Sequence, residues 1–437
     1  MNPSNNDEVL ASHEKTVFNK PDSEASESSV IIDSPPDGGL TAWLQVVASW
    51  MIFFNTWGLL NSFGVFQNYY TTTLLPTSSP STISWIGGIQ TFLLMIIGAP
   101  CGRLVDAGYL HTQIFIGIFL EVFGMMMASI STKYWQLFLS QGVCVGLGAG
   151  FLWYPCPTVI GQFFQKRRMT ALGIAATGSS LAGIIYPIIF SNLLSRVGFA
   201  WSMRILGLIM LGTLGVCVSV IRLRLQPRRQ GPFWDQGALR EPAYVAFIGA
   251  FSLMMMGSWV PYNYVETFAG VVGVNESLAK WLLPIMNACS LIGRTGPNYV
   301  ADKVGGLNIM TPSIILAGVV SLLWALAKTS GALIALAILY GFISGSMISL
   351  PPAIIAHLTP RADHIGTRVG MAYTIASFFA LVGNPIGGAI LSLGKRHHTG
   401  EKVFFGTWFF AGLVLVTGGL LCFVTRYKRV GLKLTKI

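Results

Sequence analysis

Apolar residues in this chain gather in runs of about twenty, and each run ends in a short cluster of glycine, proline, lysine or arginine. A helix of about twenty apolar residues crosses a hydrocarbon layer of about 30 Å. On that scale the pattern predicts twelve membrane-spanning helices. Six fall at 42–66, 82–104, 112–131, 136–161, 170–195 and 202–222; six more fall at 243–265, 278–301, 308–327, 331–354, 367–393 and 404–425. The polar, basic stretch 223–241 divides them. Pro155 and Pro157 are expected to bend the fourth helix, because proline removes a backbone donor.

Composition agrees with an all-α membrane protein. Charged residues make up 10% of 437, hydrophobic residues 53%, and mean hydropathy is +0.62. A soluble chain of this length needs far more charge to cover its surface. The net charge of +11 suggests nucleic acid at first sight, but its distribution argues against that partner. Residues 1–37 hold eight acids against Lys15 and Lys20, a net of −6, so the remainder carries +17 in short runs between apolar segments. That is the positive-inside pattern of a multispanning protein.

With the N-terminus inside, the inner loops receive Arg103, Lys166, Arg167, Arg168, Arg222, Arg224, Arg228, Arg229, Arg240, Lys303 and Arg361, and the basic tail is inside too. Outer loops receive little, the Lys395-Arg396 pair being the one violation. Both termini are therefore expected in the cytoplasm. Residues 1–37 read as a disordered acidic tail, 38–222 and 242–426 as two six-helix bundles, 223–241 as a cytoplasmic linker, and 427–437 as a basic tail. The polar, acidic start is unlike a cleavable leader, so the first apolar run is expected to direct insertion. The six cysteines lie in or at the ends of apolar runs with no CxxC spacing, which points to neither a metal nor a disulfide framework. The sequon at Asn275 falls on the outer side as a glycosylation candidate in a short loop.

The two halves echo each other. "GAPCGRLVDAG" (98–108) follows the second run and "GRTGPNYVADKVG" (293–305) follows the eighth. Asp106 and Asp302 stand 196 residues apart, as do Pro155 and Pro351, while Pro187 and Pro385 stand 198 apart. Parallel repeats with a site near the midplane between them describe the major facilitator architecture. Gly102-Arg103-Leu104-Val105-Asp106 resembles that superfamily's signature loop, although Ala107 stands where a basic residue is usual. Gly102, Arg103, Asp106, Arg167, Arg168 and Asp302 are thus the candidate gating-loop residues, with the carboxylates able to meet a helix N-terminus or an arginine.

"PDGG" (36–39) and "FFQKRRMTALGIAATGSSLAG" (163–183) resemble motifs of the monocarboxylate porter family within that superfamily. "GTRVGM" (366–371) and "GNPIGGAIL" (383–391) look like its fungal branch. The resemblance implies a secondary transporter working by alternating access, expected at the plasma membrane. In carboxylate-transporting members, an arginine of the eighth helix engages the substrate carboxylate, and Arg294 matches it. The aspartate one turn earlier falls on Ser290, and a first-helix lysine tied to proton coupling falls on Asn61. Two of those three landmarks have lost their charge here.

Arg294 is also conspicuous without the resemblance. It lies about eight residues from the inner boundary near Asp302, roughly 12 Å deep. A charge there costs at least ~2.5–3.5 kcal/mol, so something must compensate. A transported anion or a watery cavity would do so, as would an ion pair with Glu121 or Asp302. Glu121, midway along the third run, is the candidate proton-coupling group, with an interhelical hydrogen bond as the alternative. In "WVPYNYVET" (259–267), Pro261 is expected to break the seventh helix and set the cluster Tyr262, Asn263 and Tyr264 at a gate; an interfacial aromatic belt is the rival reading, and the better one for Trp259 and Tyr264. Asn287, Tyr373 and Asn384 are candidates for neutral hydrogen bonds to a substrate, or for helix packing.

"GVCVGLGAG" (142–150) lacks Gly-Lys-Ser/Thr and reads as a packing face rather than a nucleotide loop. No catalytic constellation appears, so an enzyme is not expected, and neither a cofactor nor a metal is called for. The partners expected are the lipid bilayer and a small-molecule substrate, anionic if Arg294 meets it, carried by a monomeric unit. An accessory subunit is left open. Efflux of a bulkier, aromatic metabolite and a sensor that has lost transport are the alternatives.

Overall fold

The computed structural model describes residues 35–225, 234–361 and 364–431. The expected acidic tail, most of the linker and the end of the basic tail lie outside them. Among the described residues the chain is almost wholly helical. The first half contains α1 (Leu40–Asn61), α2 (Phe63–Tyr69), α3 (Pro80–Ile96), α4 (Gly98–Asp106), α5 (Leu110–Ser129), α6 (Tyr134–Leu137), α7 (Val145–Trp153), α8 (Pro155–Phe163) and α9 (Arg168–Val220). The second contains α10 (Pro242–Val272), α11 (Glu276–Val304), α12 (Gly306–Leu323), α13 (Ser330–Ser349), α14 (Pro351–Leu358), α15 (Ile365–His397) and α16 (Phe405–Val430).

α9 has 53 residues, about 80 Å of helix, far more than a bilayer accommodates. It turns at Gly198, whose φ of 75° and ψ of 176° suit only glycine. Both of its ends return to the start of α1. Gln45 Nε2 donates to Val220 O at 3.1 Å, while Asp37 Oδ1 accepts from Gln165 N and Lys166 N at 2.6 and 2.7 Å. The element is therefore a hairpin of two passes. The loop expected at 196–201 shrinks to one residue, because a single positive-φ glycine reverses the chain.

Among the described residues, nine helical stretches are long and apolar enough to cross a membrane. Counting α9 twice and adding the shorter α3 and the polar-striped α11, the twelve expected passes fit. The outer surface shows apolar residues to lipid, as at Phe115, Phe119 and Phe123 along α5.

The repeat is visible in three dimensions. Pro155 opens α8 just after α7, and Pro351 opens α14 just after α13, so corresponding passes are jointed at the same place. Ahead of each half's first helix an aspartate clasps the loop before that half's fifth pass. Asp37, the one non-glycine residue with positive φ among the described residues, holds the loop at 165–166. Asp235 accepts from Ala238 N at 3.2 Å and Arg368 Nε at 2.9 Å, and His364 Nδ1 lies 3.0 Å away. Arg368 completes the clasp through a two-pronged bond to Glu241 at 2.9 and 2.6 Å. Burial works to raise the Asp235 carboxyl, but hydrogen bonds from His364 and Arg368 outweigh it and hold the group at about 2.

Within the halves, α1 packs on α9, and α10 and α12 on α16; between them, α9 meets α11, and α3 and α4 meet α15. The expected packing face at 142–150 is present: a Cβ at Gly148 would lie 2.6 Å from Glu121 N, so only glycine permits the approach of α7 to α5. One expectation fails. Pro261 lies inside a continuous α10 and does not break it, since one missing backbone bond is absorbed within a packed membrane helix.

Candidate functional site

The polar residues of α11 recur at helical spacing. Asn287, Ser290, Arg294 and Asn298 are each at most 1% exposed, on one stripe that faces α9 of the other half. Asn287 Nδ2 donates to Leu283 O at 3.1 Å and Gly183 O at 3.4 Å. Arg294 Nη1 donates to Ala176 O at 3.1 Å, and its Nε to Ser290 Oγ at 3.3 Å. Asn298 Nδ2 reaches Met169 O at 3.2 Å and Ser349 Oγ at 2.9 Å.

α9 lets α11 come this close because it is lined with small residues. A Cβ on Gly173 would lie 2.3 Å from Arg294 O, and one on Gly183 would lie 2.6 Å from Asn287 Oδ1. The small-residue run 173–183 is thus the complement of the polar stripe.

Arg294 finds neither of its expected ion-pair partners, and among the described residues no carboxylate lies within ion-pair reach of it. Asp302 instead caps the N-terminus of α9. It accepts from Met169 N at 3.0 Å, Thr170 N at 2.8 Å and Thr170 Oγ1 at 2.5 Å, joining the two halves at the face that carries the basic loops. Glu121 is fully buried, with neither carboxylate oxygen hydrogen-bonded, so the interhelical bond considered for it is not made. The Arg294 guanidinium is held by one hydroxyl and one carbonyl, with its positive charge uncompensated by protein.

Beside it lies an aromatic seam. The Tyr262 hydroxyl is near enough to Arg294 to interact electrostatically, and it lies 2.8 Å from Ser344 Oγ. From Tyr262 ring contacts run to Trp259 at 6.0 Å, to Trp57 at 6.1 Å, to Trp153 at 5.7 Å and to Tyr373 at 4.7 Å, crossing between the halves twice. Trp259 and Tyr264 are 7% and 6% exposed, which removes the aromatic-belt reading for both: they face protein rather than the membrane boundary.

The other expected residues are dispersed. Asn61 Nδ2 donates to Ser179 O at 3.1 Å, a contact within the first half. The Tyr264 hydroxyl donates to Asn384 O at 3.3 Å, an α10–α15 contact that leaves Asn384 Oδ1 buried without a partner. Asn263 is half-buried nearby on α10. Asn275 caps α11, its Oδ1 accepting from Ser277 N at 3.0 Å. At the basic face Gly102 brings α4 against α15, a Cβ there lying 3.7 Å from Gly366 O. Arg103 is half-buried beside it, Arg167 is exposed, and Arg168 lies against Gly161. The side chain of Asp106 lies outside the described ones. Tyr262 belongs to the cluster expected at a gate, and it is the member that lies beside Arg294. Asn298, Trp57 and Trp153 were not singled out in the sequence; of these Asn298 alone had a visible signal, its spacing from Asn287 and Arg294.

The halves touch toward both membrane faces. Asp302 on Thr170 closes the basic face, while Gly64 of α2, where a Cβ would lie 3.6 Å from Leu283 of α11, brings the halves together toward the other. Along α11, Arg294 lies between Leu283 and Asp302, which make these two contacts.

Comparison with known proteins agrees with this architecture. The family model described as Major Facilitator Superfamily matches residues 39–296 and again 245–436. The MFS-type transporter dbaD of Emericella nidulans is 42% identical over 388 residues, covering 88% of this chain and 86% of the relative. The aspyridones efflux protein apdF of the same organism is 37% identical, covering 92% and 82%. Among solved structures, the MFS transporter FucP in the outward conformation overlays with a TM-score of 0.64 at 15% identity, over 87% of this chain and 98% of that one; this likeness speaks to the fold alone. Two overlapping family matches that together span nearly every described residue, and long alignments to named transporters, show that the chain belongs to the Major Facilitator Superfamily of membrane transporters.

Proposed function

We propose that this transporter carries an organic anion between the two bundles, as a monocarboxylate-porter-like member of its superfamily. The observation that carries the reading is Arg294: fully buried, facing the seam, and held by neutral groups alone. A guanidinium in that setting offers a carboxylate two parallel hydrogen bonds, and the incoming anion supplies the missing countercharge. Ser290 and Tyr262 would orient it.

Alternating access follows from the closures on either side of the site. Opening at the basic face requires Asp302 to release Met169 and Thr170; opening at the other face requires α2 to leave the start of α11. Each leaves the opposite closure intact, so the anion meets one side at a time. Glu121 is the candidate for proton coupling, being a membrane-buried carboxylate without a partner. Both termini are assigned to the cytoplasm from the basic loops, and the plasma membrane and a monomeric unit are the proposed setting.

A second reading, export of a secondary metabolite, is favoured by the name of the relative described as an aspyridones efflux protein. Uptake into proteoliposomes across a panel of carboxylates and aromatic acids, with and without an imposed pH gradient, tests both. Saturable flux of an anion supports transport. A pH-gradient stimulation abolished by Glu121→Gln supports the coupling role. Ligand binding with no flux of any compound would replace the proposal with a sensor.

A further inference from the structure

The aromatic seam carries a second signal besides its packing. Trp57 and Trp259 each occupy the eighteenth residue of the first helix of their half, counted from Leu40 and Pro242. Their indole planes are 11° apart with centroids at 6.1 Å, so each half covers the ring face offered by the other. Trp153 adds an edge contact to Trp57 at 5.7 Å and meets Tyr373 of the second half at 4.7 Å. Tyr373 in turn packs on Phe251 at 4.8 Å.

The three indoles are 2%, 2% and 7% exposed for Trp57, Trp153 and Trp259, and no acceptor meets any of their N–H groups. Buried donors are ordinarily paired, so three unmet at one seam call for an explanation. Trp324 and Trp408 also lack acceptors, but they pack in tilted and edge contacts on each other and on Phe268 within the second half. Only the three at the seam lie where the halves separate.

We infer that the transported anion is a flat, conjugated molecule with acceptor oxygens in the plane of its rings. The inference rests on the organic-anion reading above and deepens it. When the bundles part, Trp57 and Trp259 lose each other's faces, and a planar ligand replaces them by offset stacking. Its in-plane oxygens accept from the indole N–H groups, and its acidic group pairs with Arg294 beyond Tyr262. A small aliphatic acid would satisfy Arg294 and leave both the ring faces and the N–H groups unmet.

The test uses the purified full-length protein in nanodiscs and a matched pair of probes, 2-naphthoate and its fully saturated counterpart decahydro-2-naphthoate, with binding read by calorimetry. The two share size, skeleton and charge and differ in planarity and conjugation. The expected result is binding of 2-naphthoate at least about tenfold tighter, with Trp259→Leu removing most of that preference. Trp259→Phe, which keeps a ring face for stacking, should retain most of it, because the only oxygens of 2-naphthoate are those that meet Arg294, and it guards against misfolding of the leucine variant. Arg294→Gln should weaken both probes alike. Equal binding of the two probes, still dependent on Arg294, overturns the flat-ligand inference and leaves the anion reading standing. Binding of neither, or binding indifferent to Arg294, overturns both.

Discussion

Gly173→Ala is the smallest change that tests how the two bundles meet. The added Cβ would lie 2.3 Å from Arg294 O and 2.5 Å from Asn298 Nδ2, in a helix of the opposite half. A carbon and a carbonyl oxygen ordinarily keep about 3.3 Å or more apart, so α9 and α11 must separate by roughly 1 Å. Overpacking of this kind costs about 1–3 kcal/mol, and here the cost falls on closure between halves rather than on the folding of either. The closed arrangement should lose about five- to 150-fold in population relative to the state open at this seam. Spin labels on cysteines introduced at Lys166 and Val304, both exposed at the basic face, report that separation by pulsed electron resonance. The distance distribution should shift to longer values and turnover should fall, while Gly215→Ala, with nothing within 4 Å of its new methyl, changes neither. A Gly173→Ala protein with the parental distances and turnover would refute the reasoning.

Two further outcomes follow from the contacts at the basic face. Asp302→Asn removes the charge from the cap on α9 and should cost about 1–2 kcal/mol of closure, lengthening the same label distance without changing expression; no lengthening argues against the cap as a gate. The Asp235 clasp makes a pH-dependent contribution to stability. Its carboxyl sits at about 2 in the folded protein against 3.8 ordinarily, so the contribution is complete above about pH 4 and is lost as pH falls through about 2. Melting temperature in nanodiscs should drop across that window, and Asp235→Asn should be less stable near neutrality and show a flatter profile; identical profiles for the two proteins speak against the clasp.

What the sequence made legible, and what it hid, has a physical pattern. Spans and their count follow from the thickness of hydrocarbon, which every helix must match, so their positions are readable from runs alone. Arg294 was legible because a charge inside such a run has no local explanation. Its expected ion-pair partners were misplaced: Asp302 serves the N-terminus of α9, and that contact depends on a helix 133 residues earlier in the chain. The aromatic seam was hidden for the same reason. In a membrane both lipid-facing and buried positions are apolar, so a tryptophan's neighbours cannot be inferred from its own helix, and the seam joins α1, α7, α10 and α15. Pro261 misled because the rule that proline ends helices is a rule for isolated helices in water, whereas α10 is supported along its length by α15 and α16.

The most direct measurement is flux of a carboxylate that the parental protein moves, followed in proteoliposomes bearing Arg294→Lys. Lysine keeps the positive charge but loses the planar fork that engages a carboxylate through two bonds. Transport should fall by at least about tenfold while the variant still inserts and melts near the parental temperature. Undiminished flux from a correctly inserted Arg294→Lys protein would contradict the assignment of this guanidinium to the transported anion.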